Sequence, residues 1–230
     1  TVEAEMLEKL PSIATGECGE KLHWVLTEDG TLRISGNGAM PNYSTSSVAP
    51  WYKKRTKILS VVVEPGVTSI GNYAFYSCFK LSSVRLSDEL KSIGAYAFQE
   101  CASLVAMEIP ANVTDIGGAA FNGCSSLENV MILEGITKIP NSAFSNCTNL
   151  KSVVLSDQLL SIGENAFENC ASLDNLSIPN SVSSIGKSAF SGCSSLTSVT
   201  IPEGIETING GTFYNCTSLE KVILPESLLK

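Results

Sequence analysis

Cysteine is the residue type in this chain whose number and spacing could support chemistry. Seven of the eight cysteines recur at intervals of 23 residues, at Cys78, Cys101, Cys124, Cys147, Cys170, Cys193 and Cys216. A metal site needs closely spaced, convergent ligands such as Cys-x-x-Cys, which this spacing does not provide. A disulfide framework needs thiols that face each other, whereas a regular column of seven favours free thiols buried as small apolar groups. Cys18 stands apart from the column, and an exposed position is open to it.

The single histidine, His23, is the other candidate for catalysis or metal binding. One histidine excludes multi-histidine metal sites, and its place beside Trp24 in an alternating segment predicts a surface or cap residue. The sequence has no nucleophile-elbow motif, HExxH motif, phosphate-binding loop or dinucleotide fingerprint. We therefore predict a protein that is not an enzyme and that has no metal and no cofactor.

Composition narrows the classes of partner. The chain has 230 residues and a net charge of −8, with 15 basic and 23 acidic residues. An acidic chain without a basic block is a poor candidate for binding nucleic acid or anionic membrane. It contains no apolar run of about 18 residues, which excludes membrane insertion by a helix.

The cysteine column belongs to a repeat of 23 residues that governs three quarters of the chain. Phenylalanine precedes each of the seven cysteines by three residues, and leucine follows each by three. The phenylalanines are Phe75, Phe98, Phe121, Phe144, Phe167, Phe190 and Phe213. One unit buries too little apolar surface to offset the entropy of ordering its backbone, so the units must stack into a solenoid.

The segment Leu81–Cys101 shows how one unit is built. Period-2 alternation predicts a short strand in which Val84 points inward while Ser83 and Arg85 point to solvent. A second strand is expected to end at the repeated isoleucine, and a short helical turn then carries phenylalanine and cysteine inward. Pro140 replaces the glycine that follows this isoleucine in most units, so positive φ is not required there, at least in that repeat. Markers of the predicted core are Phe98, Cys101, Phe121, Cys124, Phe144 and Cys147.

The repeat pattern CxxLxxVxLPxxLxxIGxxAF resembles the BspA-like leucine-rich repeats of bacterial surface proteins. The resemblance covers residues 58–230, and the upstream segment CGEKLHWVLTEDGTLRISGNGAM resembles the N-terminal cap of that family. It implies a leucine-rich-repeat solenoid of the α/β type, right-handed and curved. Its short parallel strands form the concave side, and its short helical turns form the convex side.

The expected organisation has two parts. Residues 1–57 form an N-terminal segment and cap, with a β-hairpin at about 17–38, and residues 58–230 form the solenoid of about seven repeats. Trp51 and Tyr52 are expected to seal the first repeat. Residues 1–16 fit either a short helix that ends before Pro11 or a linker. The last rung has no evident polar cap, and its open edge is a place where edge-to-edge contact can form.

A binding surface could be encoded where the repeat does not fix the side chain. These positions point outward from the concave strands, and the predicted ligand-facing set is Ser83, Arg85, Glu108, Asn129, Met131, Val154, Asn175, Ser177 and Thr200. The alternative is a plain solvated sheet, because no aromatic anchor or arginine cluster marks this face. The aromatic residues Tyr73, Tyr76, Phe79, Tyr96 and Tyr214 lie near the first and last rungs, as end packing or as a secondary contact surface.

The family resemblance implies a non-catalytic, extracellular or cell-surface module of a bacterium that binds proteins or mediates adhesion. Its partner would be a protein or a glycan, with the host extracellular matrix as one source, and we expect neither nucleic acid binding nor membrane insertion. No secretory signal is visible, so the location follows from the resemblance alone. The alternative function is a structural spacer or display domain that holds other domains off the cell surface.

Overall fold

The computed structural model describes residues 11–229 as a stack of coils, each 23 residues long, that carries two columns of short parallel strands. The strands of the first column are β5 (Ser60–Val63), β7 (Ser83–Arg85), β9 (Ala106–Met107), β11 (Asn129–Met131), β13 (Ser152–Val154), β16 (Ser198–Thr200) and β17 (Lys221–Ile223). Partners are 23 residues apart throughout, as in the pairs Ser60 with Ser83 and Asn129 with Ser152. The predicted leucine-rich-repeat solenoid is confirmed.

The second column runs beside the first and holds the repeated isoleucines. Its strands are β6 (Val67–Ile70), β8 (Ser92–Ile93), β10 (Asp115–Ile116), β12 (Lys138–Ile139), β14 (Ser161–Ile162) and β15 (Ser184–Ile185). Each strand ends at an isoleucine that is buried, as predicted from the repeat. The two strand columns lie on either side of a thin core. Each coil therefore buries side chains from both of its strands.

The third side of each coil is made of turns and contains little helix. Within residues 11–229 the helices are two short 3₁₀ helices, at Tyr52–Lys57 and Glu226–Leu229. The turns close through i→i+3 hydrogen bonds, such as the one from Cys78 N to Phe75 O at 3.1 Å. They join the next coil through bonds such as that from Phe75 N to Ala97 O at 2.7 Å. We call this side the turn side.

A continuous ladder of aromatic rings occupies the core. Neighbouring phenylalanine rings from Phe75 to Phe213 stack with centroids 5.0–5.7 Å apart and interplanar angles of at most 21°. Trp51 extends the ladder by stacking on Phe75 at 5.7 Å, and its indole N–H donates to Ala74 O at 2.8 Å. Trp51 is fully buried and seals the first repeat, while Tyr52 is half-buried.

The cap continues the sheet of the solenoid. Strands β1 (Ser12–Glu17), β2 (Leu22–Thr27) and β3 (Thr31–Gly36) pair antiparallel, and β3 then pairs parallel with β5. The short strand β4 (Gly38–Ala39) pairs with β6 in the second column. Strand β1 was missed by the sequence analysis, and the expected helix or linker before Pro11 lies outside the described residues.

The last rung differs from the others in its exposure. Strand β17 pairs only with β16 among the described strands. Val222, Ile223 and Leu224 are each 42–51% exposed, and Phe213 is half-buried, unlike the six phenylalanines before it. Edge-to-edge contact at this rung therefore stays a prediction.

At Gly94 and Gly117, which follow the repeated isoleucine, the neighbouring coil comes very close to the backbone. A Cβ at Gly94 would lie 2.5 Å from Asn72 N, and one at Gly117 would lie 2.2 Å from Ala95 N. Neither glycine has positive φ, which agrees with the inference drawn from Pro140. Glycine at these two positions therefore permits the close approach of the coils, while Pro140 and Asn209 take the same position in two other repeats.

Adjacent glycines test this explanation. Gly117→Ala should lower the free energy of unfolding by about 1–3 kcal/mol, because its methyl group meets the backbone of the preceding coil. Gly118→Ala is the matched control, since its Cβ would have its nearest contact at 3.5 Å and its φ is not positive. We expect this control to be neutral or stabilising by up to about 1 kcal/mol. Urea unfolding of both variants provides the measurement, and equal destabilisation would contradict the close-approach explanation.

Candidate functional site

The outward-pointing side chains of the first strand column form one continuous surface, which we call the sheet face. The structure places all nine residues of the predicted ligand-facing set on this face and exposes each of them. Between them, Val130, Val153 and Val199 point inward and are buried. The alternation arises because successive side chains of a strand point to opposite faces. Asn175, between β13 and β16, keeps the register through a single bridge to Ser152.

A groove of about 440 Å³ lies on the sheet face where β7, β9 and β11 end. Met107 and Ile109 are buried residues that line it, and Arg85, Glu108 and Met131 are exposed residues that line it. Asp88, Leu86, Val84, Pro110, Ala111 and Leu133 complete the lining. The groove thus joins three of the predicted residues around an apolar base.

An exposed apolar pair continues from the groove along the sheet face. Met131 and Val154 are paired across β11 and β13, and they are 53% and 54% exposed. The residues of the same strands that share this face, Asn129 and Ser152, are polar, and the Ser152 hydroxyl donates to the Asn129 side-chain oxygen at 2.6 Å. The groove and this pair give the face an apolar region among mostly polar side chains, and Ile223 on the last rung is a separate exposed apolar residue of the same face.

The cysteine column consists of free thiols, and all of them except Cys216 are buried. All eight cysteines are free, seven are buried, and Cys216 on the last repeat is half-buried. From Cys101 onward each thiol donates to the carbonyl oxygen of a phenylalanine in the preceding coil, at 3.1–3.3 Å. Burial raises the pKa of Cys78, Cys147 and Cys193 to about 12, which leaves the protonated form dominant at neutral pH. The predicted column of buried thiols is confirmed.

Cys18 corrects one expectation from the sequence. It is only 3% exposed, and burial raises the pKa of its thiol to about 11. The exposed position considered for it is therefore wrong. Cys18 lies next to the β1–β2 turn, where its backbone N–H bonds to Leu22 O at 3.0 Å and its side chain joins the core of the cap.

His23 lies on β2 with its side chain exposed. Within residues 11–229, no group of three or more histidine, cysteine, aspartate or glutamate side chains is arranged to hold a metal ion. The same part of the chain contains no helix that is both long and apolar enough to span a bilayer. The sheet face, with its groove and its exposed apolar pair, is the candidate site.

Sequence reasoning missed the left-handed positions of the turn side. Every repeat has two residues with positive φ, as at Tyr73 (φ 55°), Ser77 (φ 55°) and Tyr96 (φ 58°). At the first of these positions the later repeats have Ala119, Ser142, Asn165, Ser188 and Gly211. The sequence did contain a signal for these positions, because the later residues of this column are small residues, asparagine or glycine. Asparagine and glycine favour the left-handed conformation.

The sequence profile of the BspA type leucine-rich repeat region matches this chain in six copies, over residues 50–171 and 126–230. No protein of curated function matches the chain. Several solved structures are similar to it over most of its length.

One is a leucine-rich repeat protein of T. pallidum, with 29% identity and a TM-score of 0.62 over 79% of this chain and 91% of that one. Another is a leucine-rich repeat protein of Bacteroides ovatus, with 26% identity and a TM-score of 0.56 over 90% of this chain and 70% of that one. A leucine-rich cell surface protein of Faecalibacterium prausnitzii shares the fold, with 22% identity and a TM-score of 0.51 over 95% and 97% of the two chains.

The thiols give a direct test of the buried column. In guanidinium, Ellman's reagent should titrate eight thiols, and fewer than six would contradict the assignment. In the native protein at pH 8, only Cys216 should react at a measurable rate, because a thiol with a pKa of about 12 is ionised in about one molecule in ten thousand at that pH. Cys216→Ser should remove the measurable phase and leave the other thiols silent.

Proposed function

The chain belongs to the BspA-type leucine-rich repeat family, and from this premise we propose that it is a non-catalytic protein-binding module on the outside of a bacterial cell. Leucine-rich repeat solenoids generally bind proteins on the broad regular surface that their stacked repeats display. The family resemblance supports the surface location and an adhesive role. A partner in the extracellular matrix of a host or on a neighbouring cell fits that location.

The single observation that carries this proposal is the apolar region of the sheet face. The Met131–Val154 pair lies at positions where the repeat leaves the side chain free, yet it exposes apolar surface beside a groove with an apolar base. Exposed apolar surface with a polar rim is typical of protein–protein contact sites. The groove would receive an apolar side chain of the partner.

The charged residues of the groove favour selectivity for a partner over strength of binding. Arg85, Asp88 and Glu108 line it with one positive and two negative side chains, and all three are exposed. Exposed charges of this kind influence orientation and association rate more than affinity. The apolar contact therefore supplies most of the binding free energy, and the three charged residues fix how the partner lies.

The double variant Met131→Glu/Val154→Glu tests this function. Binding to immobilised extracellular-matrix proteins should weaken by about tenfold or more, because two carboxylates would enter an apolar contact. The free energy of unfolding should change by no more than about 0.5 kcal/mol per site, since both side chains are exposed. Biolayer interferometry and thermal unfolding provide the two measurements.

Leu160→Glu is the matched control. Leu160 is 53% exposed, as Met131 is, but it precedes β14 in the second strand column and lies away from the sheet face. The control should bind matrix proteins as the unchanged protein does. If no matrix protein binds, or if the double variant binds as well as the control does, the spacer function replaces the binding function.

A further inference from the structure

Two tyrosines on the turn side occupy backbone positions that suit them poorly. Tyr73 and Tyr96 have φ values of 55° and 58°, in the left-handed region that bulky residues rarely adopt. The same position is filled by alanine, serine, asparagine or glycine in the following five repeats. The fold therefore does not require tyrosine there, and strain at an exposed position points to a function for the side chain.

The tyrosines form an aromatic cluster in which Tyr96 is the most exposed residue. The rings of Tyr73 and Tyr96 stack with centroids 4.6 Å apart, and Tyr76 packs edge-on against Tyr73 at 5.6 Å. Tyr96 is 37% exposed, and the next repeat places only Ala119 at its position in the register. Burial and the neighbouring Tyr96 and Tyr76 raise the pKa of Tyr73, so its hydroxyl stays a proton donor.

A basic segment lies one coil before this cluster. The 3₁₀ helix Tyr52–Lys57 takes the place of the repeat turn, because the bond from Ile58 N to Arg55 O matches that from Leu81 N to Cys78 O in the next coil. Trp51 takes the ladder position before Phe75, 24 residues ahead of it, so the segment departs from the 23-residue period by one residue. The basic segment therefore occupies the turn side of the coil that precedes Tyr73 and Tyr76.

Five of the 15 basic residues of the chain fall between positions 53 and 80, namely Lys53, Lys54, Arg55, Lys57 and Lys80. Among the described residues, ion pairs join Arg33 to Glu64 and Lys151 to Glu128, and none involves these five. The Arg55 guanidinium packs over the Tyr52 ring at 4.2 Å and donates to Tyr52 O, so the outward charges are those of the lysines.

We propose that these lysines and the three tyrosines form a binding site for an acidic polysaccharide, separate from the sheet face. A sugar ring would pack on the exposed part of the Tyr96 ring, and the tyrosine hydroxyls would bond to its hydroxyl groups. The lysines would pair with carboxylate or sulfate groups further along the polymer. We call Tyr73, Tyr76, Tyr96, Lys53, Lys54, Lys57 and Lys80 the tyrosine–lysine patch.

The charges around the patch favour a sugar polymer over a nucleic acid. Glu100 is exposed, lies four residues beyond Tyr96, and shares the register of Ser77. A base stacked on Tyr96 would bring its phosphate toward Glu100, since a nucleic acid carries a charge on every unit. A polysaccharide such as hyaluronan has an uncharged sugar between charged ones, and that sugar can lie on the aromatic face.

The experiment uses hyaluronan and polygalacturonate fragments as probes in isothermal titration calorimetry at low salt, with neutral dextran, poly-glutamate and a single-stranded oligonucleotide as comparison ligands. The acidic sugars should bind, and their affinity should fall as salt is added. Tyr73→Asn/Tyr96→Asn should weaken binding by about tenfold or more. Because asparagine suits the left-handed position, as Asn165 does in the same column, this variant should unfold at the same temperature or higher.

Matched controls lie on the same side of the solenoid. Tyr214→Asn removes a tyrosine that is 66% exposed on the last repeat, at the register position of Tyr76. Lys187→Gln removes an exposed lysine far from the patch, to be compared with Lys53→Gln/Lys57→Gln. The controls should bind the acidic sugars normally, and the paired lysine variant should lose affinity and salt dependence.

Three outcomes would overturn the proposal. They are absence of binding to both acidic sugars, unchanged binding by Tyr73→Asn/Tyr96→Asn, and equal or tighter binding of poly-glutamate or the oligonucleotide. The sheet-face variant Met131→Glu/Val154→Glu should bind the acidic sugars normally. Failure of this site is thereby distinguished from failure of the protein-binding function.

Discussion

The unbroken register of 23 residues is the constraint on which the rest of the structure depends. Because no insertion interrupts it from Phe75 to Phe213, each side chain contacts the same position of the neighbouring coils. The phenylalanine rings can then stack in one ladder, and each buried thiol can reach a carbonyl of the preceding coil. The glycines before the turn allow the backbones to approach closely enough for both contacts. One inserted residue would break all of these contacts at once, which explains why the repeat is so uniform in its interior.

Much of this architecture could be predicted because period and residue type are sufficient to place a repeat. The 23-residue period predicted that the coils stack. The alternation around Val84 predicted which side chains of the strand point inward and which point outward. Pro140 showed that positive φ was unnecessary after the isoleucine. The features that were missed depend on contacts between coils or within the cap. The role of Gly117 depends on the position of Ala95 in another coil, and the burial of Cys18 depends on how the cap folds over Leu22. A linear pattern does not contain those distances.

The candidate sites were predictable to different degrees for the same reason. Exposure of the sheet-face residues follows from alternation alone, and the structure places them as that pattern requires. The groove at the ends of β7, β9 and β11 depends on how residues beyond the strands fold back, which the repeat pattern does not specify. The tyrosines were noticed as aromatic residues near the first rungs, but their strain was invisible until the backbone angles were known. In a repeat protein, a departure from the consensus carries more information when its backbone context is also known.

The location of the strained tyrosines agrees with the way stability is distributed in a solenoid. Each repeat is supported mainly by its two neighbours, so local strain must be offset by nearby contacts. Tyr73 and Tyr96 lie in the first two complete repeats, where Trp51 continues the ring ladder and itself packs edge-on against Trp24 and Tyr43 of the cap. The last repeat lacks such support among the described residues, and its Phe213 is half-buried. The position that would carry strain there is occupied by Gly211, which adopts positive φ without a steric cost. The cap thus contributes to more than closure of the core, because Trp24 and Tyr43 hold the ring that continues the ladder into the first repeat.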